Sequence, residues 1–477
     1  MIGPSVASPG LDADQGRGVR PDVNIHVMTP ERMIHYANLS VPRYTSYPTA
    51  PHFNAEVGKD SVVRWLGESP ADQPISLYLH VPYCREICLY CGCHTKATRQ
   101  DGPLFSYANG LLSELKLVAA AIGRRQPVSH VHWGGGTPSL LPRLAFEEIV
   151  TAIDALFGFA PDAEHAIELD PRSVTSELVE MLANCGVNRA SLGVQDFDIG
   201  VQMAIGRVQP RHQVEAAVAT LRNGGINAIN FDLMYGLPHQ TVETVIATVD
   251  ASAEMKPDRI ALFGYAHVPW FKKHQRLIDP ASLPDPHERM ALESATRGAL
   301  AAWGYRPIGL DHFAKAHDAL AQASDKHELR RNFQGYTIDA AKTLIGVGAS
   351  SIGRLAQGFV QNAPDIATWR AAVDRGDLPV VKGRAFTADD LLRADIIEQL
   401  MCYYAVDLEA VCRQHAISID TLVEARSMLM DLAGDGLIFF DGPTVKVTPD
   451  ARPFVRVVAS AFDAYLPNRA ARHSTAV

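Results

Sequence analysis

Four of the seven cysteines fall within ten residues, in the run Tyr78-Leu-His-Val-Pro-Tyr-Cys84-Arg-Glu-Ile-Cys88-Leu-Tyr-Cys91-Gly-Cys93. Cys84, Cys88 and Cys91 have the spacing C-x3-C-x2-C, close enough for three thiolates to wrap one iron–sulfur cubane, whose usual ligand is cysteine. Three thiolates for four irons leave one iron open. An open coordination position is what separates a catalytic metal centre from a structural one. Zinc structural sites pair two CxxC units well apart, and no second pair occurs here. A cluster fully ligated by cysteine for electron transfer can instead recruit Cys93. Cys185, Cys402 and Cys412 lie in helical patterns and read as inert core residues. Few cysteines, odd in number and bunched, are not a disulfide framework and point to a reducing compartment.

Other residue types along the chain can meet a ligand. Trp133-Gly134-Gly135-Gly136-Thr137-Pro138 closes a predicted strand; glycines there let backbone approach a ligand, and equally serve a tight turn. Glu168 and Asp232 lie in or close further predicted strands, where a carboxylate accepts from a hydroxyl or an ammonium, or simply caps a helix. Arg207 can grip a carboxylate bidentately or stay solvated. Gln195 and Ala266 carry no signal of their own, and Ile352 reads as core.

The elements that must position these groups follow from hydrophobic periodicity. Strands are predicted at Ile75–Val81, Ser129–Trp133, Ala166–Leu169, Ala190–Val194, Ala228–Met234 and Arg259–Tyr265. Amphipathic helices are predicted between them at Phe105–Arg124, Phe146–Phe157, Ser176–Ala183, His212–Asn223 and Val242–Met255. Repeated strand–helix units with short Gly/Pro/Asn breaks imply parallel strands with right-handed crossovers. The expected fold class is α/β: a partial (β/α) barrel of about six parallel strands, with an N-terminal helical segment and a small, mostly helical C-terminal domain. The cysteine run follows the first strand, where a barrel places its chemistry. The expected division is a disordered or extended tail over 1–27, a helical segment over 28–74 containing Arg43-Tyr-Thr-Ser-Tyr-Pro-Thr-Ala50, the barrel over 75–310, a loop-rich aromatic region over 311–383 completing the site, and a helical domain with a hairpin wing over 384–477.

Composition bounds the partners. The 477 residues are 47 % apolar and 20 % charged, ordinary for a globular protein of two or three domains. A net charge of −9 offers no broad basic field for nucleic acid. No uninterrupted apolar run reaches the ~18 residues of a membrane span, and the first residues lack a secretory pattern, so a cytoplasmic protein is expected, with no membrane partner.

C-x3-C-x2-C at the end of a first barrel strand resembles the radical S-adenosylmethionine (SAM) superfamily. Within it, the RYTSYPTA stretch, the Cys91-Gly-Cys93 step, Glu168-Leu-Asp-Pro-Arg172, Gly193-Val-Gln-Asp-Phe197, Asp232-Leu-Met-Tyr-Gly-Leu-Pro238, Tyr265-Ala-His-Val-Pro269, Asp311-His-Phe-Ala314 and Asn332-Phe-Gln-Gly-Tyr336 are together similar to the oxygen-independent coproporphyrinogen III oxidases. The resemblance runs from about Arg43 into the C-terminal region. It implies a [4Fe–4S] cluster on Cys84, Cys88 and Cys91 and two SAM molecules. Tyr78, Gly135 and Glu168 are implied contacts of the SAM on the cluster. Tyr90, Gly136, Thr137, Gln195, Arg207, Asp232, Ala266 and Ile352 are implied to line the second SAM position. The family commonly shows Phe at position 90, and both rings can pack. Cys93 is not a ligand in this family. The implied reaction uses a 5′-deoxyadenosyl radical to convert two propionates of coproporphyrinogen III to vinyl groups, giving protoporphyrinogen IX in haem synthesis, with a low-potential electron donor as partner and a monomer as the expected state. Haem-trafficking and haem-degrading relatives share the scaffold; the former typically lack the RYTSYPTA stretch and the CGC step. Arg43, Lys96, Arg99, His267, His312 and Arg331 are candidate partners for the substrate carboxylates. Tyr44 and Tyr47 either position substrate or pack.

Overall fold

The computed structural model describes residues 28–466; the tail expected over 1–27 lies outside them, as do the last residues of the C-terminal region. Six parallel strands run side by side in chain order: β1 (Ile75–Val81), β2 (Val128–Gly135), β3 (Phe159–Leu169), β4 (Arg189–Gln195), β5 (Ala228–Tyr235) and β6 (Arg259–Gly264). The predicted helices occupy the connections, for example Gly102–Ile122 between β1 and β2 and Val242–Glu254 between β5 and β6. Thr241 starts the latter with a capping box that satisfies backbone N–H groups otherwise left unpaired.

The remaining strands of the main sheet are β7 (Arg306–Ile308), β8 (His312–Ala314), β9 (Thr343–Val347), β10 (Ile352–Leu355), β11 (Gly358–Asn362) and β12 (Val380–Ala385). The order across the twelve is β12-β11-β10-β9-β1-β2-β3-β4-β5-β6-β8-β7. The sheet is therefore an open partial barrel, ending on antiparallel strands at both edges. β9 corrects one expectation: it is a seventh parallel strand, pairing with β1, inside a stretch read as loop-rich. Five residues arriving after a long irregular connection carry too little periodicity to announce a strand.

The two faces of the parallel strands differ in kind. Leu77, Leu79, Val131, Trp133, Ile167, Leu192, Phe231 and Ile260 are buried on one face under the crossover helices. Alternate positions, Tyr78, His80, His132, Glu168, Ser191, Asn230 and Asp232, point to the other face, as the period of two requires. A closed barrel fills its interior with branched apolar side chains; this concave face is polar instead. Its lower end is closed by ion pairs: Arg189 to Glu164 at 2.9 Å, Arg259 to Asp318 at 2.7 Å and His130 to Asp339 at 3.2 Å.

Two short helices, Pro30–Ala37 and Lys59–Gly67, flank the RYTSYPTA stretch. Tyr44 and Tyr47 are buried against the C-terminal segment: the Tyr44 hydroxyl donates to Asp463 and the Tyr47 hydroxyl accepts from the Ala464 N–H, each at 3.0 Å. The C-terminal helices Ala388–Tyr403, Leu408–Gln414 and Val423–Gly434 precede the predicted hairpin, Ile438–Asp441 with Thr444–Val447, to which Ala405–Asp407 adds a third strand.

Candidate active site

The cysteine loop leaves the C-terminal end of β1 and is tied to its surroundings by backbone hydrogen bonds. Gly136 N–H donates to Val81 at 2.8 Å, Thr137 N–H to Tyr83 at 2.7 Å, and Leu89 N–H to Ile205 at 2.9 Å. Cys84, Cys88 and Cys91 have no disulfide partners. The Thr95 hydroxyl lies 3.3 Å from Cys84 Sγ, and the Thr137 hydroxyl donates to the same sulfur at 3.5 Å. Arg207 Nη1 donates to Cys88 Sγ at 3.5 Å. Among the described residues no three His, Cys, Asp or Glu side chains converge on one ion. A cubane asks for something different, three thiolates on three separate irons with donors to the sulfurs around them. One loop carrying three unpaired thiols, with hydroxyl and guanidinium donors on two of the sulfurs, fits that demand.

A second loop covers the first. His274 Nε2 bonds the Cys91 carbonyl at 2.7 Å, Lys272 Nζ donates to the Cys93 carbonyl at 2.8 Å, and Gln275 Nε2 donates to the carbonyls of Tyr90 and Ala266 at 2.9 and 3.3 Å. Gln275 is completely buried. This clamp carried no signal in the sequence, because its residues act through backbone carbonyls of a distant segment.

At the ends of β1 to β3, Tyr78, Gly135 and Glu168 are brought together. Gly135 has φ +112°, and a Cβ there would meet His80 Cε1 at 2.5 Å, so only glycine fits. Its N–H donates to Glu168 Oε2 at 3.1 Å, while His132 Nε2 lies 3.2 Å from Oε1. Burial pushes the Glu168 carboxyl up, but His132, the Gly135 N–H and His80 together outweigh it and hold the group below the usual carboxylate range. Glu168 is thus an anion at neutral pH, and 39 % of its side chain remains accessible. The Tyr78 hydroxyl bonds His80 Nδ1 at 3.0 Å, and its ring stacks on His132. His80 and His132 were not singled out in the sequence; only the strand alternation through Tyr78 could have suggested them.

The other candidates lie around this centre. Gly136 has no room for a Cβ, which would meet Thr95 Oγ1 and the Tyr83 carbonyl carbon at 2.8 Å. Gln195 ends β4 with φ +67° and is buried. Arg207 is buried, not solvated: Nη2 donates to Gly193 O at 2.8 Å and lies 3.4 Å from Asp170, and Nε donates to Gln209 at 3.1 Å. On β5, Asp232 accepts from Ser191 at 3.2 Å and Asn230 at 2.9 Å. Burial, then the nearby Glu168 charge, push its carboxyl up to about 6. Tyr90 and Ala266 are joined through Gln275. Ile352 stands apart: it starts β10, facing Gly346 of β9, itself the partner of Tyr78 in β1. It is half-buried at the rim of the sheet, not in the core.

Of the candidate carboxylate partners, Lys96 and Arg99 are exposed on the cysteine loop. His267 bonds the Tyr265 hydroxyl at 2.9 Å, and His312 bonds Asp311 at 2.7 Å. Arg43 and Arg331 share one pocket with Arg289 and Arg456, two residues that sequence reasoning missed.

The family model of the Radical SAM superfamily matches residues 78–251. An oxygen-independent coproporphyrinogen III oxidase of Bradyrhizobium diazoefficiens is 48 % identical over 450 residues, covering 94 % of this chain and all of the relative. One from Paracoccus denitrificans is 42 % identical, covering 92 % of this chain and 96 % of its own length. The solved coproporphyrinogen III oxidase of Escherichia coli, described as a radical SAM enzyme, superposes with a TM-score of 0.85 at 35 % identity, over 90 % of this chain and all of that one. A seven-parallel-strand open barrel, three free thiols beyond β1 and full-length likeness all agree, and the chain belongs to the oxygen-independent coproporphyrinogen III oxidase family of the radical SAM superfamily.

Proposed function

We propose that this chain oxidatively decarboxylates two propionate side chains of coproporphyrinogen III to vinyl groups, giving protoporphyrinogen IX without oxygen. The observation that carries the reading is the concave polar face of the sheet, which gathers a cysteine loop, a fixed anion and a cationic pocket at one end of the strands. When bound, a [4Fe–4S] cluster and SAM supply radical chemistry that removes hydrogen from an unactivated propionate carbon, a step beyond any side chain.

The residues of the chain divide the rest. Cys84, Cys88 and Cys91 would hold three irons, and Thr95, Thr137 and Arg207 would stabilise the charge on their sulfurs. Glu168, kept ionised by His132 and the Gly135 N–H, would receive the ammonium of SAM beside Tyr78. Asp232, primed by Asn230 and Ser191, would accept from ribose hydroxyls at the second SAM position, with Tyr90, Gly136, Thr137, Gln195, Arg207, Ala266 and Ile352 lining it. The loop clamped by Gln275 and His274 would keep water from the cysteine loop.

An anaerobic assay tests this: reconstituted protein, SAM, dithionite and coproporphyrinogen III, followed by chromatography of the porphyrins. Loss of two carbon dioxide molecules with formation of two vinyl groups is expected. Consumption of SAM with the porphyrinogen unchanged would refute the assignment.

A further inference from the structure

Beyond β6 lies a pocket, open to solvent, into which four arginines project from four separate segments. Arg43 belongs to the RYTSYPTA stretch, Arg289 to the helix Pro286–Ala302, Arg331 to the short strand Arg330–Asn332 and Arg456 to the C-terminal helix Val455–Ser460. Each is fixed by backbone carbonyls. Arg43 donates to Gly264 at 3.3 Å, Arg289 to Tyr265 at 2.7 Å, Arg331 to Tyr44 at 3.3 Å and Arg456 to Val41 at 3.4 Å. Against them the pocket has two carboxylates, and Glu293 is already held by Arg297 at 2.7 Å. Asp311 serves His312 at 2.7 Å and Arg331 at only 3.8 Å. Arg331 is stacked over Tyr336, its side chain is 5 % exposed, and its Nη1 is buried without a hydrogen-bond partner.

Four guanidinium groups in one pocket repel one another, and partial burial deprives them of the water that would screen the repulsion. Burial, then Arg43 and Arg331, push the Arg456 guanidinium down to about 10, and burial and Arg43 lower Arg289. Such an arrangement is relieved by an entering anion, and guanidinium forks match carboxylates best. The position also matters. Tyr265 and Ala266 line the pocket, and Ala266 is bonded to the clamp over the cysteine loop, so the pocket adjoins the site at the strand ends.

We infer that Arg43, Arg289, Arg331 and Arg456 form the docking pocket for the propionate carboxylates of the porphyrinogen that are not removed. The inference rests on the proposed function and names the substrate contacts it needs. The propionate that reacts must lie toward the cysteine loop, and carboxylates on the opposite side of the macrocycle then lie away from it. The pocket supplies the local positive field that a chain of net charge −9 otherwise lacks.

The test is affinity for coproporphyrin III, a stable coloured compound with the same four carboxylates, titrated by its absorbance shift into the reconstituted full-length protein. Arg43→Gln and Arg456→Gln are each expected to weaken binding at least tenfold, and Arg43→Lys and Arg456→Lys to recover most of it. The tetramethyl ester, without carboxylates, should bind parent and Gln variants alike. Arg43 is exposed, so Arg43→Gln keeps the test alive if Arg456→Gln does not fold. Unchanged affinity in Arg43→Gln, in a parent that makes vinyl products, would overturn the pocket and leave the function standing. A parent that binds coproporphyrin through these arginines but forms no vinyl product would overturn the function and leave the pocket standing.

Discussion

Gly136→Ala probes the join between the glycine run and the cysteine loop. The added Cβ would press on the Tyr83 carbonyl, with the carbonyl carbon and Thr95 Oγ1 each 2.8 Å away. Ordinary contact begins at 3.4 Å, so something must move by more than half an ångström. The Tyr83 carbonyl cannot yield freely, because it accepts the Thr137 N–H at 2.7 Å, and Thr95 is the residue that bonds Cys84 Sγ. Overpacking of this kind costs about 1–3 kcal/mol. The larger effect is on geometry, since displacement of a reacting group by about 1 Å can cost on the order of a hundredfold in rate. The expected outcome is a variant that folds, reconstitutes with less iron per chain and loses at least tenfold in vinyl formation. Iron analysis, the electron paramagnetic resonance of the reduced protein and the porphyrin assay measure the three quantities. Native iron content with native turnover would show that Tyr83 and Thr95 are not held as described, and the cysteine-loop argument would lose its footing.

Serine in place of Cys84, Cys88 or Cys91 should give colourless, inactive protein after anaerobic reconstitution, whereas Cys93→Ser should still take up a cluster; a brown, iron-loaded Cys88→Ser protein contradicts the assignment. Glu168→Gln removes the anion that His132 and Gly135 hold in place, and a hydrogen bond to a charged group contributes about 1.5–3 kcal/mol; SAM affinity should fall by about ten- to a hundredfold in equilibrium dialysis, and undiminished affinity would remove Glu168 from the site. Buried Glu114 accepts from the Gly348 N–H, Trp369 and Asn362, yet burial pushes its carboxyl up to about 7. The unfolded chain releases that proton near pH 4.5 and the folded chain near 7, so the folded state binds more protons between them and stability falls as pH rises through that window. The contribution is about 3 kcal/mol at most; urea melts across pH 4.5–7 should show the slope, and Glu114→Gln should lose it whatever its absolute stability.

Much of the fold is written in local pattern. Apolar runs such as ISLYLHV, followed by amphipathic helices, are legible because a strand buried on one face and a crossover helix each leave a period in the sequence. The cysteine spacing is legible for the same reason: three closely spaced cysteines on one short loop need no tertiary contact to be recognised. β9 was not, since five residues cannot show which strand they will join, and pairing with β1 spans more than 260 residues of sequence.

The sequence by itself therefore determined the parallel strands and, through likeness of its motifs, the chemistry, and it named the three cysteines proposed to hold the cluster. Only the tertiary structure decided what surrounds them. Arg207, which the sequence left open between gripping a carboxylate and staying solvated, is a buried donor to Cys88, and Gln275 is the clamp over Tyr90 and Ala266. Arg289 and Arg456, 167 positions apart in the sequence, came to share a pocket with Arg43 and Arg331. The physical reason is one of range. Propensity and ligand spacing act between neighbours along the chain, whereas charge, burial and cavity shape depend on which distant segments the fold sets side by side.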